Sequence, residues 1–321
     1  MSSEDESREG VSFTHLDEEL FDGSGATKRN LIDYLDAVQD RMLPCLHDRP
    51  LSVIRIRPGQ PAFMQKNLPK YTPDWVPRVP IWAEASRREV SYALCNNRRT
   101  LLWFANQRAL EYHVTLFRVD RWDQPDYLVL DLDPPEGAGF AVVVQAAHLI
   151  RQALTDAGMA GAVKTSGAKG LHVFVPLAAG SSPEDVAAAT RAVAVRAERI
   201  DPDLATTAFV KDEREGKVFL DSTRAGGATV VSAYSPRIRP GVSVSFPVAW
   251  DDIDQVAPAD FTIHNAAGLL DGADPWADQM PPAQPLDADL VAEGHTVPVA
   301  RVQAMHEGKR RARTQRDPDA R

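Results

Sequence analysis

The segment Tyr127-Leu-Val-Leu-Asp-Leu-Asp133 runs from apolar residues into two carboxylates, and Pro134-Pro135 follow at once. The run reads as a buried strand, and the prolines stop it because they cannot donate to a ladder. Residues i and i+2 of a strand share a face, so Asp131 and Asp133 point the same way at the strand end. Like charges held that close repel each other, and the arrangement calls for a cation. Hard oxygen donors suit Mg²⁺ or Mn²⁺. The same residues would also serve as a plain solvated turn, since Asp tolerates the bend. The pair therefore needs company before it means a site.

Two further segments supply it. Val163-Lys-Thr-Ser-Gly-Ala-Lys-Gly-Leu-His-Val-Phe-Val-Pro-Leu177 has a polar, glycine-rich centre before a strongly apolar run. It reads as strand, tight turn, strand. Gly167 and Gly170 permit close backbone approach, and backbone N–H groups in such a turn form an anion nest. Ser166 adds a hydroxyl, Lys169 a charge and His172 a third donor, a set suited to a phosphate chain. It is not a P-loop, because Gly-Lys-Ser/Thr is missing. A hairpin with a surface lysine is the plainer reading. The third segment, Lys217-Val-Phe-Leu-Asp221, is another apolar strand ending in a carboxylate, with Arg214 seven residues before it. A third acid could complete a two-ion site with Asp131 and Asp133. In such a site one ion activates the attacking oxygen and the other neutralises leaving pyrophosphate.

Taken in order, these segments and others resemble a known family, the polymerase domain of bacterial ATP-dependent DNA ligase D, a branch of the archaeo-eukaryotic primase superfamily. The resemblance runs from about Phe13 to about Asp252. It is carried by Thr27-Lys28, Leu31-Ile-Asp-Tyr34, Arg49-Pro-Leu51, Phe63-Met-Gln-Lys66, Leu101-Leu-Trp-Phe-Ala-Asn-Gln107 and Ala109-Leu-Glu-Tyr-His113. Asp131-Leu-Asp133, Thr165-Ser-Gly-Ala-Lys-Gly-Leu-His172, Phe219-Leu-Asp221 and Tyr234-Ser-Pro-Arg237 complete it. The resemblance implies an α/β (α+β) fold, a primase-type core of mixed central sheets flanked by helices. It implies that Asp131, Asp133 and Asp221 are catalytic and bind two Mn²⁺ or Mg²⁺ ions. Ser166, Gly167, Lys169 and His172 would hold nucleotide phosphates, with Arg214, His113 and Arg237 around the incoming NTP or dNTP. Phe63, Met64 and Lys66 would meet template DNA, and Lys28 a downstream 5′-phosphate. The family copies short template stretches, often with ribonucleotides. Implied partners are DNA with a gap, overhang or 5′-phosphate, an ATP-dependent ligase, and an end-binding protein in trans.

This chain departs from the pattern in places. Leu16-Asp17-Glu18 stands where Leu/Ala-Asp-Lys is common, so an acid replaces a lysine expected at the 5′-phosphate. Phe63-Met64 replaces an aromatic pair, although Met is flexible enough to wedge against a base. Ser222-Thr-Arg-Ala225 follows Asp221 where an aromatic and Gln-Asn are usual. No departure touches the three acids, and an active enzyme is expected.

Composition sets limits. The net charge of −9 disfavours indiscriminate DNA binding, which rests on phosphate neutralisation. Local fields matter more, and basic pairs such as Arg55/Arg57, Lys66/Lys70, Arg87-Arg88 and Arg98-Arg99 lie among Phe63, Tyr71 and Trp75. No run of about 18 apolar residues occurs, so no membrane span is expected. The acidic start, Met1 to Arg8, fits neither a signal nor a transit peptide. Cys45 and Cys95 fit no zinc spacing. A cytoplasmic, nucleoid-associated protein is expected.

Residues 1–11 read as disordered, 12–270 as the catalytic domain, 271–300 as an Asp/Pro-rich arm, and 301–321 as a basic, disordered tail. No ligase or phosphoesterase domain fits in this length. Helices are expected over 28–43, 100–112, 141–157 and 183–199, a strand over 51–56, and an irregular proline-rich loop over 58–80. Three rivals compete. A Mn²⁺-dependent glycosyltransferase explains Asp131 and Asp133 but gives Lys169 and Asp221 no role. A penicillin-binding acyl enzyme needs a later Lys-Thr-Gly, which is absent. A catalytically weak DNA-end-binding module needs no intact acid triad.

Overall fold

Two six-stranded sheets carry the chain in this structure, a computed structural model that describes residues 6–57, 59–83, 87–226 and 228–299. The first sheet has the order β11-β12-β8-β10-β9-β14. Its strands are β8 (Tyr127–Asp133), β9 (Ala162–Thr165), β10 (Leu171–Pro176), β11 (Ala205–Thr206), β12 (Val218–Asp221) and β14 (Pro247–Val248). Only β11 and β12 pair in parallel; the other neighbours are antiparallel. The second sheet has the order β13-β7-β3-β6-β5, with β4 also on β3. Its strands are β3 (Pro50–Arg57), β4 (Gln60–Gln65), β5 (Arg78–Ala83), β6 (Arg88–Leu94), β7 (Ala109–Val114) and β13 (Val230–Val231).

Helices α4 (Phe140–Asp156) and α5 (Pro183–Ile200) pack on each other and against β8. Leu128, Leu130 and Leu132 of β8 are fully buried, and they alternate with Val129, Asp131 and Asp133 on the opposite face. Ser182 caps α5 by accepting the Asp185 N–H, as its place before Pro183 predicts. Both helices lie where the sequence puts them, and they leave the aspartate face of β8 for a site.

Elsewhere the structure corrects the expectation. The 28–43 stripe divides into α1 (Lys28–Ala37) and α2 (Gln39–Leu46), which meet at Val38. The helix expected over 100–112 is α3 (Arg98–Asn106), ending before Arg108 at φ 56°, and β7 follows. Leu110, Tyr112 and Val114 alternate with Glu111 and His113, a period of two that the apolar stripe before it masked. Within the proline-rich stretch over 58–80, residues 60–65 form β4 and 78–80 begin β5, while 66–77 are irregular as expected. Pro61 and Pro80 are tolerated because both are edge strands with a free side.

Residues 1–11 were expected to be disordered, but β1 (Ser7–Arg8) pairs with β2 (Val11–Ser12). Arg8 reaches Asp33 at 2.6 Å and Asp36 at 2.9 Å, pinning the hairpin to α1. Residues 271–299 are no extended arm. After α6 (Ala266–Leu269), α7 (Pro275–Gln279) sets Trp276 edge-on to Phe174, with ring centroids 5.2 Å apart. Gln284 then bonds the chain at Pro176 and Ala178, and α8 (Ala288–Thr296) packs on α5. Gly294 permits this, because a Cβ there would lie 1.8 Å from the Ala188 carbonyl oxygen. Residues 1–5 and the basic segment 301–321 lie outside the described residues.

Candidate active site

Register builds the site. Asp221 on β12 and His172 on β10 both stand opposite Asp131 of β8, and Lys164 on β9 stands opposite His172. Directly opposed residues share a face, so Asp221, Asp131, His172 and Lys164 form one polar row across four strands. Asp133 lies one step along β8, opposite Phe219. All three predicted acids thus come together at one sheet end.

Their electrostatics differ. Asp131 is buried, which alone would raise its pKa. His172 Nε2 at 3.1 Å and the Arg224 guanidinium at 2.6 Å outweigh burial and hold it well below the carboxylate range. Asp133 moves the other way: partial burial, then the charges of Asp131 and Asp221, push it up to about 6. Asp221 accepts from the Thr223 N–H at 2.8 Å and hydroxyl at 2.7 Å, and Arg224 reaches its other oxygen at 3.0 Å. Arg224 therefore bridges Asp131 and Asp221. No ready-made group of three or more His, Cys, Asp or Glu side chains around a metal position occurs among the described residues.

The predicted phosphate turn abuts this row. Ser166 Oγ accepts from the N–H of Ala168 at 3.2 Å and of Gly170 at 3.0 Å, and so braces the turn. The N–H groups of Gly167 and Lys169 make no hydrogen bond among the described residues. Gly170 is required by contact: a Cβ there would lie 2.0 Å from the Leu132 oxygen, between the two acids of β8. Gly167 takes φ 67°, and its Cβ position is closed by Arg237, Val244 and Ser245. Lys169 is exposed, with no acid paired to it among the described residues.

Arg237 ties the turn to the second sheet. It donates to the Ser166 carbonyl at 2.5 Å and pairs with Glu111 at 3.2 Å. Glu111 also accepts from the Ile238 N–H and pairs with His113 at 2.9 Å. Its burial would raise its pKa, but His113 and Arg237 prevail and bring it to about 2. Arg214 stacks on Phe219 at 3.7 Å, beside Asp133, and bonds the carbonyls of Ala208 and Phe209.

The residues expected at DNA stand apart from the acids. Lys28 is buried and donates to the Thr14 carbonyl at 2.6 Å; burial, then the charge of Arg108, lowers its pKa to about 8. Glu18 does not stand as a bare acid beside it, because Arg108 ion-pairs with Glu18. Phe63 lies under Arg57 and Arg55, at 4.8 and 5.8 Å. Phe63 and Met64 are consecutive on β4 and face opposite sides of the strand, so they do not form one paired wedge. Lys66 is exposed just past β4. Cys45 and Cys95 are free thiols.

Sequence reasoning missed Lys164, Arg224 and Arg108 as site residues. Arg224 appeared only as part of a departure after Asp221, and Arg108 only inside an expected helix. Lys164 preceded the turn motif, where its buried partners are visible only through strand register.

Comparison with known proteins bears on this arrangement. Residues 27–276 match the family model described as LigD, primase-polymerase domain. The chain is 34% identical over 286 residues to the multifunctional non-homologous end joining protein LigD of Mycolicibacterium smegmatis, covering 88% of this chain and 36% of that protein. It is 34% identical over 258 residues to the bifunctional LigD of Bacillus subtilis, covering 79% of this chain and 41% of that one. It thus spans well under half the length of these relatives. The polymerase domain of Mycobacterium tuberculosis ligase D, solved in complex with DNA, superposes with a TM-score of 0.78 at 30% identity, over 85% of this chain and 98% of that one. No described helix is long and apolar enough to cross a membrane. With one mixed and one antiparallel sheet, its acid row and its glycine-rich turn, the chain belongs to the LigD primase-polymerase domain family.

Proposed function

We propose that this domain is a template-directed repair polymerase that adds ribonucleotides, and deoxyribonucleotides, to a primer 3′-hydroxyl at short gaps or broken DNA ends. The observation that carries the reading is the placement of Asp131, Asp133 and Asp221 on adjacent strands, beside the Ser166–Gly170 turn. The three carboxylates fit divalent cations. They are hard oxygen donors, and burial, followed by the charges of Asp131 and Asp221, raises the pKa of Asp133, a cost that a bound cation would offset. Mn²⁺ or Mg²⁺ there would neutralise the triphosphate and favour the hydroxyl as alkoxide.

The chain's own residues do the rest. The free N–H groups of Gly167 and Lys169, with the Lys169 ammonium, receive the phosphate chain. Arg214 and Arg224 lie beside the acids and offset charge that builds as the 3′-oxygen bonds to the α-phosphorus and pyrophosphate departs. Arg237 and His113 line the approach from the second sheet. Phe63 and Lys66 meet template, and Lys28 takes the downstream 5′-phosphate, with Arg108 replacing the positive charge lost at Glu18. In this reading the domain serves end joining or short-gap repair, with an ATP-dependent ligase and an end-binding protein acting alongside it.

The test is extension of a labelled primer across a short gap with Mn²⁺, comparing NTPs with dNTPs, with and without the downstream 5′-phosphate. Templated extension that favours NTPs and the phosphorylated gap is expected. No extension with either nucleotide, by a folded protein that still binds the gap, would replace the polymerase with an end-binding module.

A further inference from the structure

His172 has both ring nitrogens engaged inside the protein. Nε2 lies 3.1 Å from Asp131 Oδ1, and Nδ1 lies 2.9 Å from Lys164 Nζ. Lys164 is wholly buried, an uncommon place for a lysine without an acid partner. Its other hydrogen bond is to Ser245 Oγ at 2.6 Å, with the Phe174 ring centroid 5.5 Å away, and that hydroxyl donates its own hydrogen to the Thr165 carbonyl at 2.8 Å.

With Lys164 as an ammonium, which can only donate, the hydrogen-bond directions are fixed. Ser245 has spent its proton, so Lys164 donates to it. An ionised Asp131 accepts only, so His172 must present Nε2–H to it. A neutral ring with Nε2–H has a bare lone pair on Nδ1, which needs a donor, and Lys164 stands there. The order Thr165 carbonyl, Ser245, Lys164, His172, Asp131 runs along one sheet face and ends on a predicted metal-binding carboxylate. Such outer partners orient ligands and tune their affinity for metal.

We propose that Lys164 is a positioning residue that locks His172 in the Nε2–H tautomer and, through it, fixes the Asp131 carboxylate for cation binding. This rests on the proposed metal-binding role of Asp131. It gives His172 a task inside the sheet, distinct from direct contact with nucleotide phosphate.

The test reads the tautomer and metal binding, not synthesis. Histidine labelled with ¹⁵N is followed by NMR in the metal-free protein, with H172Q assigning the ring. Mn²⁺ binding is followed by the EPR signal of the free ion. In the wild type, Nδ1 is expected to be bare and Nε2 protonated. Lys164→Met keeps the buried aliphatic chain but no donor, and there the Nδ1 signal shifts towards a mixed tautomer. Mn²⁺ affinity falls roughly 10- to 100-fold, the range for lost outer-shell partners. Lys164→Gln keeps a donor without the charge and restores both readouts in part.

A wild-type ring protonated at Nδ1 would overturn the proposal. So would a folded K164M protein with an unchanged tautomer and unchanged Mn²⁺ affinity. Should K164M fail to fold, the wild-type tautomer and K164Q still decide. Neither readout needs DNA or nucleotide. A locked tautomer and tight Mn²⁺ without primer extension would sink the polymerase reading and leave this one standing.

Discussion

Asp131 and Asp133 sit two residues apart, yet their environments push them in opposite directions. His172 and Arg224 keep Asp131 ionised, while Asp133 is raised to about 6 by burial and by its acidic neighbours. Replacing either Asp131 or Asp133 by Ala should abolish primer extension while gel-shift affinity for gapped DNA is largely kept; turnover in a clean preparation of either variant would refute the roles. Asp133 also predicts a pH effect in metal-free protein. Between its ordinary pKa and about 6 the folded state binds its proton more tightly than the unfolded chain does. This contribution to stability is therefore present at low pH and lost as pH rises through 6. D133N should melt higher than wild type at pH 7.5 in EDTA, with the difference shrinking as the pH falls towards 5. A constant difference across that range would show that neither burial nor the neighbouring acids raise Asp133 in the folded state. The three aspartates were legible from sequence because a strand end, a proline stop and a two-residue spacing are local signals. Arg224, Lys164 and Arg108 were not, since each matters through a partner far away in the chain.

At the scale of elements, local chemistry decided what sequence could reveal. Helices α4 and α5 were readable because each carries a long apolar period, and α5 a Ser182 cap followed by Pro183. Ser182→Ala should cost about 1 kcal/mol in urea unfolding, the usual loss for such a cap. Strand β7 was hidden because its apolar residues continue a helical stripe through the turn at Arg108. Strands β4 and β5 were hidden by prolines that only an edge position excuses, and edges are a property of the assembled sheet. Close packing adds two glycines to the account. Gly170 lies under the Leu132 carbonyl and Gly294 against Ala188. Gly294→Ala should destabilise by about 1–3 kcal/mol through overpacking between α5 and α8. An unchanged urea midpoint would mean that α8 is not held as described.

At the scale of the whole molecule, polar ties join the two sheets. Arg237, between the Ser166–Gly170 turn and Glu111 of β7, is one such tie. The second sheet and α1 carry the residues expected to meet DNA, and Lys28 lies buried there with Arg108 and Glu18 close by. Lys28→Ala should reduce the preference for a 5′-phosphorylated gap, read as the ratio of binding constants with and without the phosphate. Arg108→Ala should do the same if Arg108 offsets Glu18, and an unaltered ratio in both would place phosphate recognition elsewhere. The arrangement of the acid row has a consequence for how this protein comes into being. Arg224 meets Asp131 across 93 positions of sequence, and Ser245 meets Lys164 across 81. While the chain is still leaving the ribosome, Asp131 and Asp133 are made long before the strand that brings Asp221 or the segment that seats Lys164. A half-made chain therefore carries two aspartates but no assembled site, and under the proposed function an ion would be captured only once synthesis has passed β14.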